Sequence, residues 1–351
     1  MIRKKRNVIV SVSILLLTFL LSMPSVPAYA GASTLSKEQE QLIKMLRSDE
    51  DKVGEELMNK FKVGKTEEMR VPTRDGETHI YVYSPDSDQK GPYPLFVNIH
   101  GGGFITGYRE QDIVFSKNIS SRANYVVIDI DYTPAPEKKY PYALHQSYDV
   151  IKWASKNSKL LNIDPEKIVL CGHSAGGNLA AAITLLNNVR HDFKIALQIL
   201  DYPSLNLYTP QPLKRNAYKD PENVPLSIAS LYNSAFVDEE KDLDPTAYAR
   251  LSQLYYDAYI DEDYRLDPTA SPIFAPDEML IGLPEALIIT CWDDYRGEDA
   301  EKYAYRLLQA GVPVTARRMT DSGHGFVVSR DDQFEEAEKM IFDALDKVSK
   351  N

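Results

Sequence analysis

Ile168-Val169-Leu170-Cys171-Gly172-His173-Ser174-Ala175-Gly176-Gly177 runs from an apolar stretch straight into a turn of small residues. The apolar four read as a strand buried on both faces. Gly172 and Gly176 flank Ser174 in a G-x-S-x-G pattern, whose small residues let a serine occupy a cramped strand-to-helix turn. Ala175, Gly176, Gly177, Asn178, Leu179, Ala180 and Ala181 then open a helix, whose N-terminus carries a partial positive charge. Strand, serine turn and helix in that order predict an α/β sheet with a nucleophile at its edge.

The flanking sequence repeats the same alternation. Short apolar runs fall at Leu95–Ile99, Tyr125–Ile130, Ile195–Leu200, Ala286–Cys291 and Val312–Arg317. Helical patterns lie at Gln111–Ala123, Tyr142–Asn157, Gly176–Asn188, Glu298–Gly311 and Asp331–Lys350. Ahead of them, Glu67–Pro72 and Thr78–Tyr83 alternate around Arg74-Asp75-Gly76, a hairpin pattern, and Ser36 to about Phe61 is helical in pattern and strongly charged. Runs apolar on both faces and separated by helices need cover on both sides. The expectation is an α/β fold with a mostly parallel central sheet of about eight strands.

Chemistry gathers at three further places. His100-Gly101-Gly102-Gly103 follows the Leu95–Ile99 run and fits a glycine-rich loop that donates backbone N–H groups to a developing oxyanion. A serine nucleophile needs a base, and the base an orienting acid. Of the six histidines, His324 in Ser322-Gly323-His324-Gly325-Phe326 follows the last strand and can reach the serine. His79, His145 and His191 lie in a hairpin, a helix and a charged loop and read as structural. His173 reads as a packing or hydrogen-bonding residue, and His100 as a prop for the glycine loop. The acid should follow a strand between serine and histidine, which leaves Asp293 or Asp294. Adjacent residues there point different ways, so one of the pair faces the histidine, and Asp294 is preferred. No metal or cofactor is called for: neither cysteine has the spaced His/Cys company of a metal site.

The chain of 351 residues opens with Arg3-Lys4-Lys5-Arg6, an apolar run from Val8 to Leu21, and Ala28-Tyr29-Ala30. That is the layout of a cleaved secretory signal over residues 1–30, with no lasting membrane span, and it predicts a secreted or cell-surface protein. The formal charge is −11, and removing the four basic residues of the signal leaves about −15. Such a surface argues against nucleic acid as a partner and favours a small-molecule substrate. Cys171 and Cys291 each end a strand with another strand expected between them, about 10 Å apart, too far for a disulfide.

Between Tyr202-Pro203 and Ser271-Pro272 the alternation breaks for about seventy residues, a length at which a structureless loop is uncommon in a compact domain. The break holds Tyr208, Tyr218, Tyr232, Tyr248, Tyr255, Tyr256, Tyr259 and Tyr264 and an acidic middle, Asp238 to Asp244. Helices and a lid are expected there.

With these residues in place, the chain resembles the hormone-sensitive-lipase-like α/β-hydrolases, the bacterial carboxylesterases with an HGGG loop. The resemblance rests on His100-Gly-Gly-Gly-Phe104, Asp131-Tyr132-Thr133-Pro134-Ala135-Pro136-Glu137, Gly172–Gly177, Ser271-Pro272 and Gly323-His324-Gly325-Phe326. It implies a Ser174-His324-Asp294 triad, because spacing back from Glu301 and Tyr303 lands on Asp294. It further implies oxyanion donors at Gly102, Gly103 and Ala175, and pairing of two copies through the last sheet edge. A cap is implied from residues 31–65 and 203–271, within a hydrolase domain over 31–351. The chain departs from the family pattern at His173, where an acid is usual, and at Asp294-Tyr295-Arg296, where Asp-Pro-Leu is usual. Hydrolysis of short-chain acyl esters, acetyl esters among them, is the expected activity. The rivals are an amidase or peptidase on the same fold and a non-catalytic protein that binds through the tyrosine-rich cap.

Overall fold

Eight strands carry the apolar runs: β1 (Lys65–Thr73), β2 (Gly76–Ser84), β3 (Tyr93–Ile99), β4 (Val126–Asp131), β5 (Ile163–His173), β6 (Leu197–Asp201), β7 (Glu285–Asp293) and β8 (Val314–Gly323). In this computed structural model they form one sheet in the order β1-β2-β4-β3-β5-β6-β7-β8. Residues 35–48, 52–208, 245–294 and 296–351 are described. The expected signal segment 1–30 and the acidic middle of the insertion, with Tyr218 and Tyr232, lie outside them. β1, β2 and β4 pair antiparallel, and every pairing from β4 through β8 is parallel.

Seven helices matter for the site: α1 (Lys37–Ser48), α2 (Glu110–Ala123), α3 (Tyr142–Lys156), α4 (Ala175–Arg190), α5 (Pro245–Tyr259), α6 (Gly297–Gln309) and α7 (Phe334–Lys350). Phe115 and Ile119 of α2 and Ile341 and Leu345 of α7 pack with Phe96, Val127, Val169, Ile199 and Leu287 on one face of the sheet. Helices α3, α4 and α6 cover the other. The central parts of β3 to β6 are therefore buried on both faces, which is why their sequences read as apolar runs, broken only by the buried Asn98, Asp129 and Gln198. Cys171 and Cys291 lie on β5 and β7 with β6 between them, and both are buried free thiols.

The charged N-terminal segment is helical in two pieces: α1 ends at Ser48, and a separate turn, Glu55–Met58, starts after Gly54. Gly54 is extended (φ −58°, ψ 144°), and glycine is a poor helix former. Strand β8 runs on to Gly323, six residues beyond the apolar run. It is the sheet's last strand, with both faces largely in solvent, so Arg317, Arg318, Thr320 and Asp321 hide it from an apolar pattern. Among the described residues no helix is long and apolar enough to cross a membrane.

Candidate active site

The parallel strands β3, β5, β7 and β8 deliver their carboxyl ends to one rim, where an open α/β sheet binds its ligands. The residues after those ends are His100, Ser174, Asp294 and His324.

Ser174 sits on the turn between β5 and α4 with φ 54° and ψ −112°, a conformation rare for any residue with a side chain. Its N–H donates to the Asp201 carbonyl at 2.9 Å, and its own carbonyl accepts from Ser204 N–H at 3.1 Å. The small neighbours are a steric requirement. A Cβ on Gly176 would lie 1.9 Å from the Ile99 carbonyl oxygen, and one on Gly172 would lie 2.1 Å from that of Gly176. Side chains at either place would push α4 away from β3.

His324 Nε2 lies 2.8 Å from Ser174 Oγ, and its Nδ1 lies 2.6 Å from Asp294 Oδ2. With Nδ1–H donating to the carboxylate, Nε2 is left to accept the serine hydroxyl proton. Of the acidic pair, Asp294 meets the histidine; Asp293 is still in β7, in register with Gly323. Burial alone would raise the Asp294 carboxyl. The charge and hydrogen bond of His324 outweigh it, followed by the charge and backbone N–H of Arg296, and together they hold it at about 2.

The glycine loop packs on this turn. A Cβ on Gly101 would stand 3.0 Å from the His173 carbonyl and 3.4 Å from Ser174 Cβ. Gly102 and Gly103 have φ of +96° and +59°, which directs successive N–H groups into one concavity, and Ile105 and Thr106 N–H both tie down the Gly102 carbonyl at 3.0 Å. Ala175 is the first residue of α4, where N–H groups have no acceptor within the helix. His100 is fully buried. It stacks on Tyr132 (4.1 Å, 5°), donates from Nδ1 to the Gly101 carbonyl (2.9 Å), and is kept neutral chiefly by burial.

Residues 96–328 match the family described as the alpha/beta hydrolase fold. The arylesterase of Saccharolobus solfataricus is 31% identical over 276 residues, covering 76% of this chain and 78% of its own. Carboxylesterase NlhH of Mycobacterium tuberculosis is 28% identical over 267 residues, 74% of this chain and 76% of its own. The crystal structure of EstE1, a thermostable carboxylesterase from a metagenomic library, superposes with a TM-score of 0.70 at 28% identity, over 90% of this chain and 98% of that one. This chain belongs to the hormone-sensitive-lipase-like family of α/β-hydrolases.

Membership makes it an enzyme of the carboxylesterase type. None of the remaining four histidines is hydrogen-bonded into the Ser174-His324-Asp294 chain. His173 is buried, with Nδ1 3.0 Å from Asp201 Oδ2 and its ring edge-on to Phe115. His79 faces Glu68 and Asp131, His145 lies beside Asp75, and His191 caps α4. Two neighbours of the site had no signal in the sequence. The Tyr255 ring from α5 rests on Gly103, 2.7 Å from where a Cβ would be. Arg296, read only as a departure from the family pattern, reaches the Asp294 carboxylate. The Tyr255 contact joins segments far apart in the chain, whereas Arg296 lies two residues from the acid it touches and only its reach to Ser252 is long-range.

Proposed function

We propose that the protein hydrolyses short-chain acyl esters through an acyl-enzyme on Ser174. The observation that carries this reading is the unbroken hydrogen-bonded chain from Ser174 Oγ through His324 to Asp294 at 2.8 and 2.6 Å. As Ser174 Oγ attacks the ester carbonyl carbon, its proton passes to His324 Nε2. The carbonyl oxygen takes the negative charge and is held by the N–H groups of Gly102, Gly103 and Ala175. Asp294 keeps Nδ1 protonated and stabilises the imidazolium. Collapse of the intermediate breaks the C–O bond to the alcohol, which leaves with the proton from Nε2. Water repeats the sequence on the acyl-enzyme and releases the carboxylic acid.

The same reading assigns residues 1–30 to an export signal and residues 31–65 and 203–271 to a cap. Helix α5 supports the cap: Tyr259 stacks on Phe104 of the oxyanion loop (3.8 Å, 6°) and Tyr255 covers Gly103. The polar, tyrosine-rich composition of the cap segment favours acetyl-sized groups. Similarity to an arylesterase and to carboxylesterases supports ester substrates.

Hydrolysis of a nitrophenyl ester series from acetate to palmitate, by the wild type and Ser174→Ala, tests this. Turnover should fall off beyond about eight carbons, and the variant should lose at least about 10³-fold in kcat. A preference for long chains would overturn the acyl assignment. Unchanged turnover in Ser174→Ala would overturn the nucleophile.

A further inference from the structure

Asp294 has two carboxylate oxygens, and they face different partners. Oδ2 accepts from His324 Nδ1 at 2.6 Å. Oδ1 accepts the backbone N–H of Arg296 at 3.0 Å, and the Arg296 guanidinium Nη1 stands 3.4 Å from the same atom. Both side chains are buried, with 8% of Arg296 and none of Asp294 exposed. The other end of the guanidinium, Nη2, reaches Ser252 Oγ on α5 at 3.4 Å. Arg296 also immediately precedes α6, whose positive end faces the same carboxylate.

We infer that Arg296 is a positioning residue of the hydrolytic site, holding the Oδ1 side of Asp294 so that Oδ2 stays on His324, and joining this carboxylate to helix α5 through Ser252. The inference rests on the triad reading above. A carboxylate gripped on one side only can rotate about χ2 and present either oxygen. Gripped on both sides it has a single orientation, and the imidazole inherits it. The cost is electrostatic. A buried cation beside Asp294 takes up part of the negative charge that would otherwise stabilise the protonated imidazole. Arg296 thus sets how much of the Asp294 charge acts on the imidazole.

The other titratable groups near this pair are few among the described residues. Cys291 on β7 places Sγ 3.9 Å from Asp294 Oδ2. The Tyr202 ring, after β6, lies 4.9 Å from the His324 ring. Asp299, in the first turn of α6, is engaged by Asn206 and Lys302. Arg296 is the one cation among these that lies on the acid.

The test is the pH dependence of kcat/KM on nitrophenyl acetate, read at the isosbestic wavelength of the product, for the wild type, Arg296→Lys and Arg296→Gln. In Arg296→Gln the acid limb should move to higher pH by about half a unit or more, since Asp294 then acts on the imidazole with its full charge. Its kcat should drop about tenfold with KM nearly unchanged, the pattern of an interaction used in the transition state. Arg296→Lys keeps the charge and should leave the limb in place with a smaller loss of kcat. If the glutamine variant does not fold by circular dichroism, Arg296→Met supplies the neutral side chain with similar length and less polarity.

A limb that stays put in the neutral variant, or moves equally in the lysine variant, overturns the inference. Fluorophosphonate labelling of the wild type at Ser174 separates this failure from the larger one. Labelling with an unmoved limb removes the role of Arg296 alone, whereas no labelling removes the triad and the role of Arg296 with it.

Discussion

At the scale of single residues, the site depends on backbone conformations that side chains normally forbid. Gly103 shows this most directly, with φ +59° and the Tyr255 ring against its open face. An alanine can enter the left-handed region for about 1 kcal/mol, but its methyl would then meet the ring at less than van der Waals distance. Gly103→Ala should therefore tilt the loop, misplace one oxyanion donor and lower kcat about 10²-fold, with KM changed only a few-fold. Adding Tyr255→Ala removes the collision. The double variant should recover activity, with a coupling energy of at least about 1 kcal/mol in a double-mutant cycle on kcat/KM. Strict additivity would show that the two residues do not press on each other. Ser174, His324 and Gly101 to Gly103 were legible in sequence because glycine beside a reactive residue records a backbone requirement. Asp294 was legible only to within one residue, since the choice between it and Asp293 depends on where a strand stops. Tyr255 was not legible, because its meaning comes from a contact with a segment distant in the chain; the role of Arg296 was not legible, because whether its side chain turns in to the acid two residues before it or out to solvent depends on the packing around it.

At the scale of elements, α1 buries Leu42, Ile43 and Leu46 and is tied down by one polar side chain. Arg47 donates to the Ile105 and Ala135 carbonyls, each at 2.7 Å, and to both oxygens of Glu137 at 2.6 and 2.7 Å. Ile105 closely follows the glycine loop, its N–H bonded to the Gly102 carbonyl. Ala135 is tied to the same loop through its own N–H to the Phe104 carbonyl. Glu137 is held below the usual glutamate range chiefly by the Arg47 hydrogen bond, against burial. The pair is partly exposed, so its worth is modest even with bidentate geometry. Arg47→Ala should lower Tm by about 2–4 °C near neutral pH and speed tryptic cleavage within α1. The sign of the pH dependence follows from Glu137. Its folded value lies below its unfolded one, so its stability contribution is present above the unfolded value and is lost as pH falls through the folded one. The gap in Tm between wild type and variant should thus narrow on acidification, and a constant gap would mean that the ion pair contributes nothing. The sequence read most elements correctly where burial on both faces imposed one pattern, as in β3 to β6. It failed where solvent removed the constraint, at β8.

At the scale of the whole molecule, the sheet changes from antiparallel to parallel at β4, and a carboxyl group is buried at that junction. Asp129 is fully buried, accepting from Asn98 on β3 at 3.0 Å and from Ser116 on α2 at 2.7 Å. Burial first, and the charge of Asp112 second, push its carboxyl well above the ordinary range, while the hydrogen bonds from Ser116, Tyr108 and Asn98 only partly offset them. The folded state thus favours the protonated form. Below the unfolded carboxyl's value, near 4, both states are protonated and the stability of this contact is fully present. As pH rises, the unfolded chain ionises while the buried group stays protonated, and stability falls by about 1.4 kcal/mol per pH unit until the folded group ionises as well. Asparagine keeps the acceptor for Asn98, and its amide can donate to a rotated Ser116 hydroxyl, yet it has no proton to lose. Asp129→Asn should therefore be close to neutral in Tm at pH 4 and increasingly stabilising from pH 5 to 7. A difference that does not grow with pH would show that Asp129 is ionised in the native sheet. The stacking of β3, β4 and α2 would then rest on a buried charge rather than on a neutral hydrogen-bonding hub.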